Sequence, residues 1–205
     1  MVYLFSIYHL TNSILLDLSQ DIWRYISDNW LIQTHKKGQV GSSTMPQKIN
    51  PIQFENAEGN LVLANGLIET INRKLPISRL QRDLSDSTVN RNFGVIFGYQ
   101  LVAYQSIKKG LKSIKPNKPK ISDDLNQNFN ILSEALQTYL RFNKDPKAYQ
   151  KISKLSKGVK MDQEAWKNLV DSLDPKLANL TPETYTGLAS KLTKIAIKDI
   201  RRNLK

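Results

Sequence analysis

Apolar residues recur at intervals of three and four along most of this chain, and that period commits it to packed helices before anything else is considered. Leu10, Ile14, Leu15, Leu18, Ile22, Tyr25 and Ile26 form one such stripe, expected to be the buried face of a first helix that fades near Gln33 to Gly38. A second helix is expected from about Ile52 to Arg73. Pro51 suits its opening, because a first turn leaves the amide hydrogen that proline lacks unpaired anyway, and Leu75-Pro76 closes it. Its candidate core is Phe54, Leu61, Leu63, Ala64, Leu67, Ile68 and Ile71. A third helix begins at Ser87 or Asp86, both good N-caps, and runs to about Ser113, with Gly94 and Gly98 read as a place of close helix packing. No Asn-Gly hairpin signal and no strand-period run accompany these, so the class is all-α: long antiparallel helices with too much apolar surface to stand alone.

The boundary is Lys115-Pro116-Asn117-Lys118-Pro119-Lys120, where two prolines among charges cannot continue a helix. It makes 114–120 a linker between a bundle region, 1–113, and a smaller helical domain, 121–205. In the latter, Leu125, Phe129, Leu132, Leu136 and Leu140 read as one stripe after a cap at Ser122. Asp145-Pro146, Asp162 and Thr181-Pro182 are start signals for three more helices, the last ending in the basic tail Lys198 to Lys205.

With 205 residues the chain can bury a core as one large domain or two small ones. The absence of cysteine excludes disulfides and thiolate metal sites and fits a reducing compartment, so a cytoplasmic location is expected. Met1 to Leu16 has no basic n-region and contains His9, Thr11, Asn12 and Ser13, which reads as an amphipathic helix and not a signal peptide. No eighteen-residue apolar run occurs, and no membrane partner is expected. The net charge of +12 favours anionic partners. Its lysines in the second half, among them Lys108, Lys112, Lys144, Lys151 and Lys154, alternate with Ile and Leu at helical spacing and read as solvated faces. Neither zinc-finger spacing nor an RNA-recognition strand motif accompanies them, so no nucleic-acid partner is expected.

One stretch describes a reaction. Residues 41 to 51 read Gly-Ser-Ser-Thr-Met-Pro-Gln-Lys-Ile-Asn-Pro, and the loop 38–51 thus gathers two hydroxyls, a flexible glycine entry, a lysine six residues after the first serine, and an Asn-Pro stop. Such a loop could close over an anionic substrate. Lys48 and Asn50, with Ile49 between them, fall on the same side of an extended stretch. Further on, Ser87 and Thr88 sit at an expected helix N-terminus near Arg82 and Arg91. Hydroxyls, unpaired amides, the positive dipole end and bidentate guanidinium groups would converge there on a phosphate. Arg79 could equally be an ion pair with Asp83.

The eleven-residue pattern resembles the signature of the fumarase/aspartase superfamily, whose members cleave C–N or C–O bonds by β-elimination and release fumarate. The flanks Phe54-Glu55-Asn56-Ala57-Glu58-Gly59-Asn60, Leu75-Pro76-Ile77-Ser78-Arg79, Gln81 to Asn92, and Leu180-Thr181-Pro182-Glu183 with Tyr185 and Gly187 are similar to its adenylosuccinate lyase family of the bacterial type. The likeness covers nearly the whole chain but only that family's C-terminal half.

The resemblance implies elimination of fumarate from adenylosuccinate, giving AMP, and from SAICAR, giving AICAR. It gives Ser42 the base role and makes Ser43, Lys48, Ile49, Asn50, Asn56, Arg82, Ser87, Thr88, Val89, Asn90 and Arg91 substrate contacts. It implies no cofactor and no metal, and a homotetramer whose active sites are each shared by three subunits. A serine hydroxyl is a base only where amides and cations support its alkoxide, and the bare backbone of the loop suits that. The family's general acid is a histidine from a segment with no counterpart here. Neither His9 nor His35 lies in a metal-ligand pattern, and His35 is not assigned the acid role. The expectation is weak nucleotide binding and slow or absent turnover by this chain alone. An argininosuccinate lyase or fumarase shares the loop but leaves Arg82 and Ser87 to Arg91 unexplained, and a non-catalytic basic helical fragment is the remaining alternative.

Overall fold

A computed structural model describes residues 1–34, 50–81, 84–158, 161–171, 174, 177 and 179–204 of the chain. The class is all-α, as expected, with two short strands as the addition. Two compact units, Met1–Asn117 and Lys118–Lys205, are resolved.

In the first unit, helices α1 (Val2–Ser27), α2 (Ile52–Lys74) and α4 (Phe93–Leu111) form the framework, and the short α3 (Ser85–Asn90) leads into α4. α1 ends where Asn29 takes a left-handed φ of 59°, so that the Asn29 and Trp30 amides return to the carbonyls of Ile26 and Tyr25 at 3.0 and 2.9 Å. This arrangement satisfies the last carbonyls of a helix that has run out of partners. Strand β1 (Leu31–Gln33) then pairs antiparallel with β2 (Ile114–Pro116), Leu31 opposite Pro116 and Gln33 opposite Ile114. Three-residue strands are too short to carry a two-residue period, which is why the sequence pattern does not reveal them.

α1 and α2 run antiparallel, held by a series of side-chain bonds at matching steps in opposite directions. Asn72 Nδ2 donates to Ser6 Oγ at 3.3 Å, His9 meets Glu69 at 3.3 Å, and Asn12 Nδ2 donates to Asn65 Oδ1 at 2.9 Å. Further along, Gln20 Nε2 donates to Glu58 at 3.0 Å and Trp23 Nε1 to Glu55 at 3.1 Å. α4 joins at the centre, where Asn12 Oδ1 accepts from Gln100 Nε2 at 2.9 Å and from the Tyr104 hydroxyl at 2.7 Å. Asn12 is fully buried there, between apolar clusters of Phe5, Ala64, Ile68, Ile71 and Ile96 on one side and Ala57, Leu61, Ala103 and Ile107 on the other. Burial pushes the Tyr104 phenol above its usual range, which keeps it a donor.

These bonds overturn part of the expected stripe of α1, of which Ile22 is buried and Leu15 packs partly buried against the second cluster. The buried positions of α1 are Phe5, Asn12, Ser19 and Ile22, whereas Leu10 and Ile14 are 63% and 61% exposed. A helix with apolar residues on two faces presents only one to its neighbours, and the polar partners on α2 select which. Leu63 of α2 is likewise exposed, and the buried α2 positions are Phe54, Ala57, Leu61, Ala64, Asn65, Ile68 and Ile71.

The expected third helix is two, interrupted at Arg91 and Asn92, and its first residue is Ser85. Close packing by glycine occurs at Gly110 and not at Gly94 or Gly98. A Cβ on Gly110 would stand 2.6 Å from the Phe54 ring, while those on Gly94 and Gly98 would meet open space.

In the second unit, α5 (Lys118–Asn126) starts inside the expected linker, because Pro119 is tolerated in a first turn. A 3-10 turn, Phe129–Leu132, separates it from α6 (Ser133–Phe142), so the expected single stripe is broken although Phe129, Leu132, Leu136 and Leu140 are all buried. They pack with Ala148 and Ile152 of α7 (Ala148–Ser156) and Trp166 and Val170 of α8 (Gln163–Asp171). Asp162 caps α8 through the Ala165 amide at 2.9 Å. Thr181-Pro182 opens a turn tied by Thr181 and Thr184, and the last helix, α9 (Ala189–Asn203), starts only at Ala189. No helix among the described residues is long and apolar enough to cross a membrane.

Removing the Asn12 side chain takes the donor from Asn65 Oδ1 and the shared acceptor from Gln100 Nε2 and the Tyr104 hydroxyl in the core. Asn12→Ala is expected to destabilise the chain by about 2–4 kcal/mol, read as a lowered urea midpoint at constant slope. Gly110→Ala should cost about 1–3 kcal/mol through its clash with Phe54, and Gly98→Ala should stabilise by roughly 0.5–1 kcal/mol. Equal effects at the two glycines would contradict the packing described.

Candidate active site

Of the residues singled out in the sequence, Ser42, Ser43, Lys48, Ile49 and Arg82 lie outside the described residues, as do His35 and Asp83. Asn50 is half-buried at the entry to α2. The buried Pro51 that follows is not in the first turn but caps it, its carbonyl accepting from the Phe54 and Glu55 amides at 2.9 and 3.2 Å. One turn on, Asn56 donates from Nδ2 to Ser106 Oγ of α4 at 2.7 Å. Its Oδ1 and its backbone carbonyl both accept from Asn60 Nδ2, at 3.1 and 2.7 Å. Asn56 is therefore an exposed residue with an interhelical bond, anchored at the end of α2 where the loop 38–51 joins.

Ser87, Thr88, Val89 and Asn90 belong to α3, and Arg91 is its C-cap. Asp86 fastens this segment to the far end of α2, pairing with Lys74 Nζ at 3.1 Å, and the same ammonium donates to the Ile77 carbonyl at 2.9 Å. Val89 packs against the cluster around Ile71 and Ile96. Ser87 sits in the first turn, but its hydroxyl donates to the Leu84 carbonyl at 2.8 Å. Thr88, Asn90 and Arg91 are exposed, and Arg91 makes no ion pair among the described residues. The exposed hydroxyl and guanidinium groups leave this surface able to receive an anion.

Among the described residues, the members of the two groups are not brought together. Asn50 and Asn56 stand at the N-terminal end of α2, and the α3 segment is bound at Lys74, the C-terminal end. Eighteen residues of helix separate Asn56 from Lys74, a rise of about 27 Å at 1.5 Å per residue.

Glu55, Glu58 and Glu69 escaped the sequence reading as members of a contact series. Their spacing of three along Glu55-Asn56-Ala57-Glu58 was a signal, and so was the recurrence of Trp23, Gln20 and His9 on α1. Two shallow grooves lie away from the expected residues. One is apolar, lined by Leu15, Tyr104, Ile107 and Leu111 with Lys108 and Lys112. The other is polar, lined by Ser6, His9, Glu69, Asn72 and Arg73. Among the described residues no group of three or more metal-ligating side chains is placed to hold an ion.

Comparison with known proteins adds a second line of observation. A family profile described as adenylosuccinate lyase C-terminal matches residues 78–186, and one described as lyase matches residues 1–66. The chain is 49% identical over 189 residues to an adenylosuccinate lyase of Legionella pneumophila (strain Corby), covering 89% of this chain and 41% of that protein. It is 46% identical over 187 residues to that of Haemophilus influenzae, with coverages of 88% and 41%. For the Escherichia coli K12 protein the figures are 44% over 184 residues, 87% and 40%. The chain spans about two fifths of the length of the curated relatives it matches.

The Lys74–Asp86 tether predicts local behaviour. Lys74→Met should speed amide hydrogen exchange in Ser85–Asn90 several-fold while moving global stability by less than about 1 kcal/mol, as suits a half-exposed pair. Unchanged exchange in α3 would mean that contacts other than the Lys74–Asp86 pair hold the segment.

Proposed function

Given that this chain belongs to the adenylosuccinate lyase family, we propose that it carries part of the catalytic apparatus for fumarate elimination from adenylosuccinate, and from SAICAR, in purine nucleotide synthesis. The proposed base is Ser42. Its alkoxide takes the Cβ proton of the succinyl group, and the electron pair moves into the adjacent carboxylate to give a dianionic aci-carboxylate. That charge is met by Lys48 and by the amide of Asn50, with Ser43, Ile49 and Asn56 lining the same end. Collapse of the dianion expels the nitrogen at Cα. The C–N bond breaks, fumarate forms, and a general acid protonates the departing amine. Arg82, Ser87, Thr88, Val89, Asn90 and Arg91 form the proposed phosphate seat.

The observation that carries this reading is the separation of its two halves. Phosphate seat and elimination loop belong to one substrate, yet Asn56 and the α3 anchor stand about 27 Å apart along α2. That distance supports a site assembled from several copies, each lending a different end of its helices. The outer surface supports the same assembly. Leu10 and Ile14 of α1, Val62 and Leu63 of α2 and Leu101 of α4 are exposed aliphatic side chains on three neighbouring helices, more than a monomer leaves in water. A homotetramer burying these faces, in the cytoplasm, is the proposed state.

The reading is tested on the 205-residue chain and on a graft joining it to the preceding portion of the Legionella relative. Fumarate release by the graft is expected from adenylosuccinate and not from argininosuccinate, and Ser42→Ala should lower it about 10²- to 10⁴-fold. Turnover of argininosuccinate, or full activity of the Ser42 variant, would defeat the proposal.

AMP binding by calorimetry gives an independent check. Arg91→Ala should weaken it about ten- to a hundredfold, as the loss of a charge-assisted contact.

A further inference from the structure

Every residue of α9 from Ala189 to Asn203 is exposed, and the helix contributes nothing to the core of its unit. Its sequence is far from featureless. At 100° per residue, Lys191, Lys194, Lys198, Arg201 and Arg202 fall within an arc of about 100°. On the other side, Leu192, Ile195, Ile197 and Ile200, with Leu188 and Leu204 at the two caps, spread over about 200° that also includes Thr193 and Asn203, and each of the six is an exposed aliphatic side chain. Asp199, near one edge of the apolar arc, is paired with Arg202 at 3.7 Å. A solvated helix has no use for six aliphatic residues on one side, and a core helix has no use for an opposite side built almost wholly of cations.

We propose that α9 is an interfacial helix that docks the chain on an anionic lipid bilayer surface. The two arcs fit that occupant together. Leucine and isoleucine side chains sink into the boundary between headgroups and acyl chains, and the flanking lysines and arginines reach back along their stems to lipid phosphates. A nucleic acid would take the cations and leave the aliphatic arc in water. The expectation of no membrane partner rested on the lack of a spanning segment, a criterion that an interfacial helix does not meet.

The test is co-sedimentation of the 205-residue chain with vesicles of mixed phosphatidylglycerol and phosphatidylcholine, and with phosphatidylcholine alone. Binding is expected only to the first, and should be largely released at about 0.5 M salt. Replacing Lys191, Lys194 and Lys198 together by glutamine should reduce the partition constant about a hundredfold. Leu192→Ser with Ile200→Ser should reduce it about tenfold or more. Since all five positions are exposed, the thermal midpoint of each variant should match the parent's. Absent binding, equal binding to both vesicle types, or indifference to the Leu192/Ile200 change would overturn the proposal. So would a fall in oligomeric mass as the only effect of that change, or retention on an RNA homopolymer in place of lipid.

Discussion

The bundle depends on one buried side chain. Asn12 lies at the middle of α1 with no exposed surface and is bonded to α2 and to α4 at once. In an apolar interior, an amide left unpaired costs more than a paired one contributes, so the three helices are confined to the arrangement that satisfies it. The bonds from Ser6–Asn72 to Trp23–Glu55 then repeat the same register outward along the α1–α2 seam. A slip of one turn would break the series at every step, whereas a purely apolar seam would tolerate several alignments. Gly110 adds a constraint from volume, since only a residue without Cβ lets α4 approach the ring of Phe54.

That choice of inner face has a consequence for the outside. Where polar residues define the seam, the surplus leucine and isoleucine of α1 must face away from it, and the bundle keeps an apolar exterior. The same geometry sets Asn50 and Asn56 at one end of α2 and the α3 segment, held by Asp86, at the other. The apolar exterior and the separation of Asn56 from the α3 segment are thus two results of one packing arrangement, and the proposed assembly answers both.

Much of the fold was legible because period and punctuation agree. α2 lies within a residue of its expected limits, since a proline stands at each boundary and the stripe between them is regular. The buried side of α1 was legible only in part, because an apolar stripe does not say which of its members meet the neighbouring helices: Ile22 is buried and Leu15 partly so, while Leu10 and Ile14 are exposed. Asn12 entered the sequence reading only as a polar residue of an amphipathic stretch, and Asn65 and Gln100 carried no signal; only their spatial convergence shows them as the organising centre. Gly94 and Gly98 invited a packing role by their spacing, but a glycine packs closely only where a neighbour arrives, and Phe54 arrives at Gly110. For the site, the motif Gly41–Pro51 spoke through the sequence itself and lies mostly outside the described residues. The Ser87–Arg91 segment was legible in chemistry but not in place. Nothing in a linear pattern says that α3 is pinned by Asp86 to the far end of α2.

Division of a site along a helix also bears on how activity would be coupled to assembly. Under the proposed function, Asn56 and the α3 segment of one chain, about 27 Å apart along α2, would serve different substrate molecules. Each half is anchored by an inexpensive local bond, Asn56 to Ser106 at one end and Asp86 to Lys74 at the other. The framework between them is the rigid, polar-registered bundle. A rigid spacer converts assembly geometry into active-site geometry, because the distance between half-sites is then set by how copies meet and not by side-chain adjustment. A bundle with interchangeable registers would allow the ends to shift by a helical turn, about 5.4 Å, which is far more than a catalytic constellation tolerates. Under the proposed function, the buried Asn12 network would act on the chemistry from a distance, by fixing the register of the helix that separates Asn56 from the α3 segment.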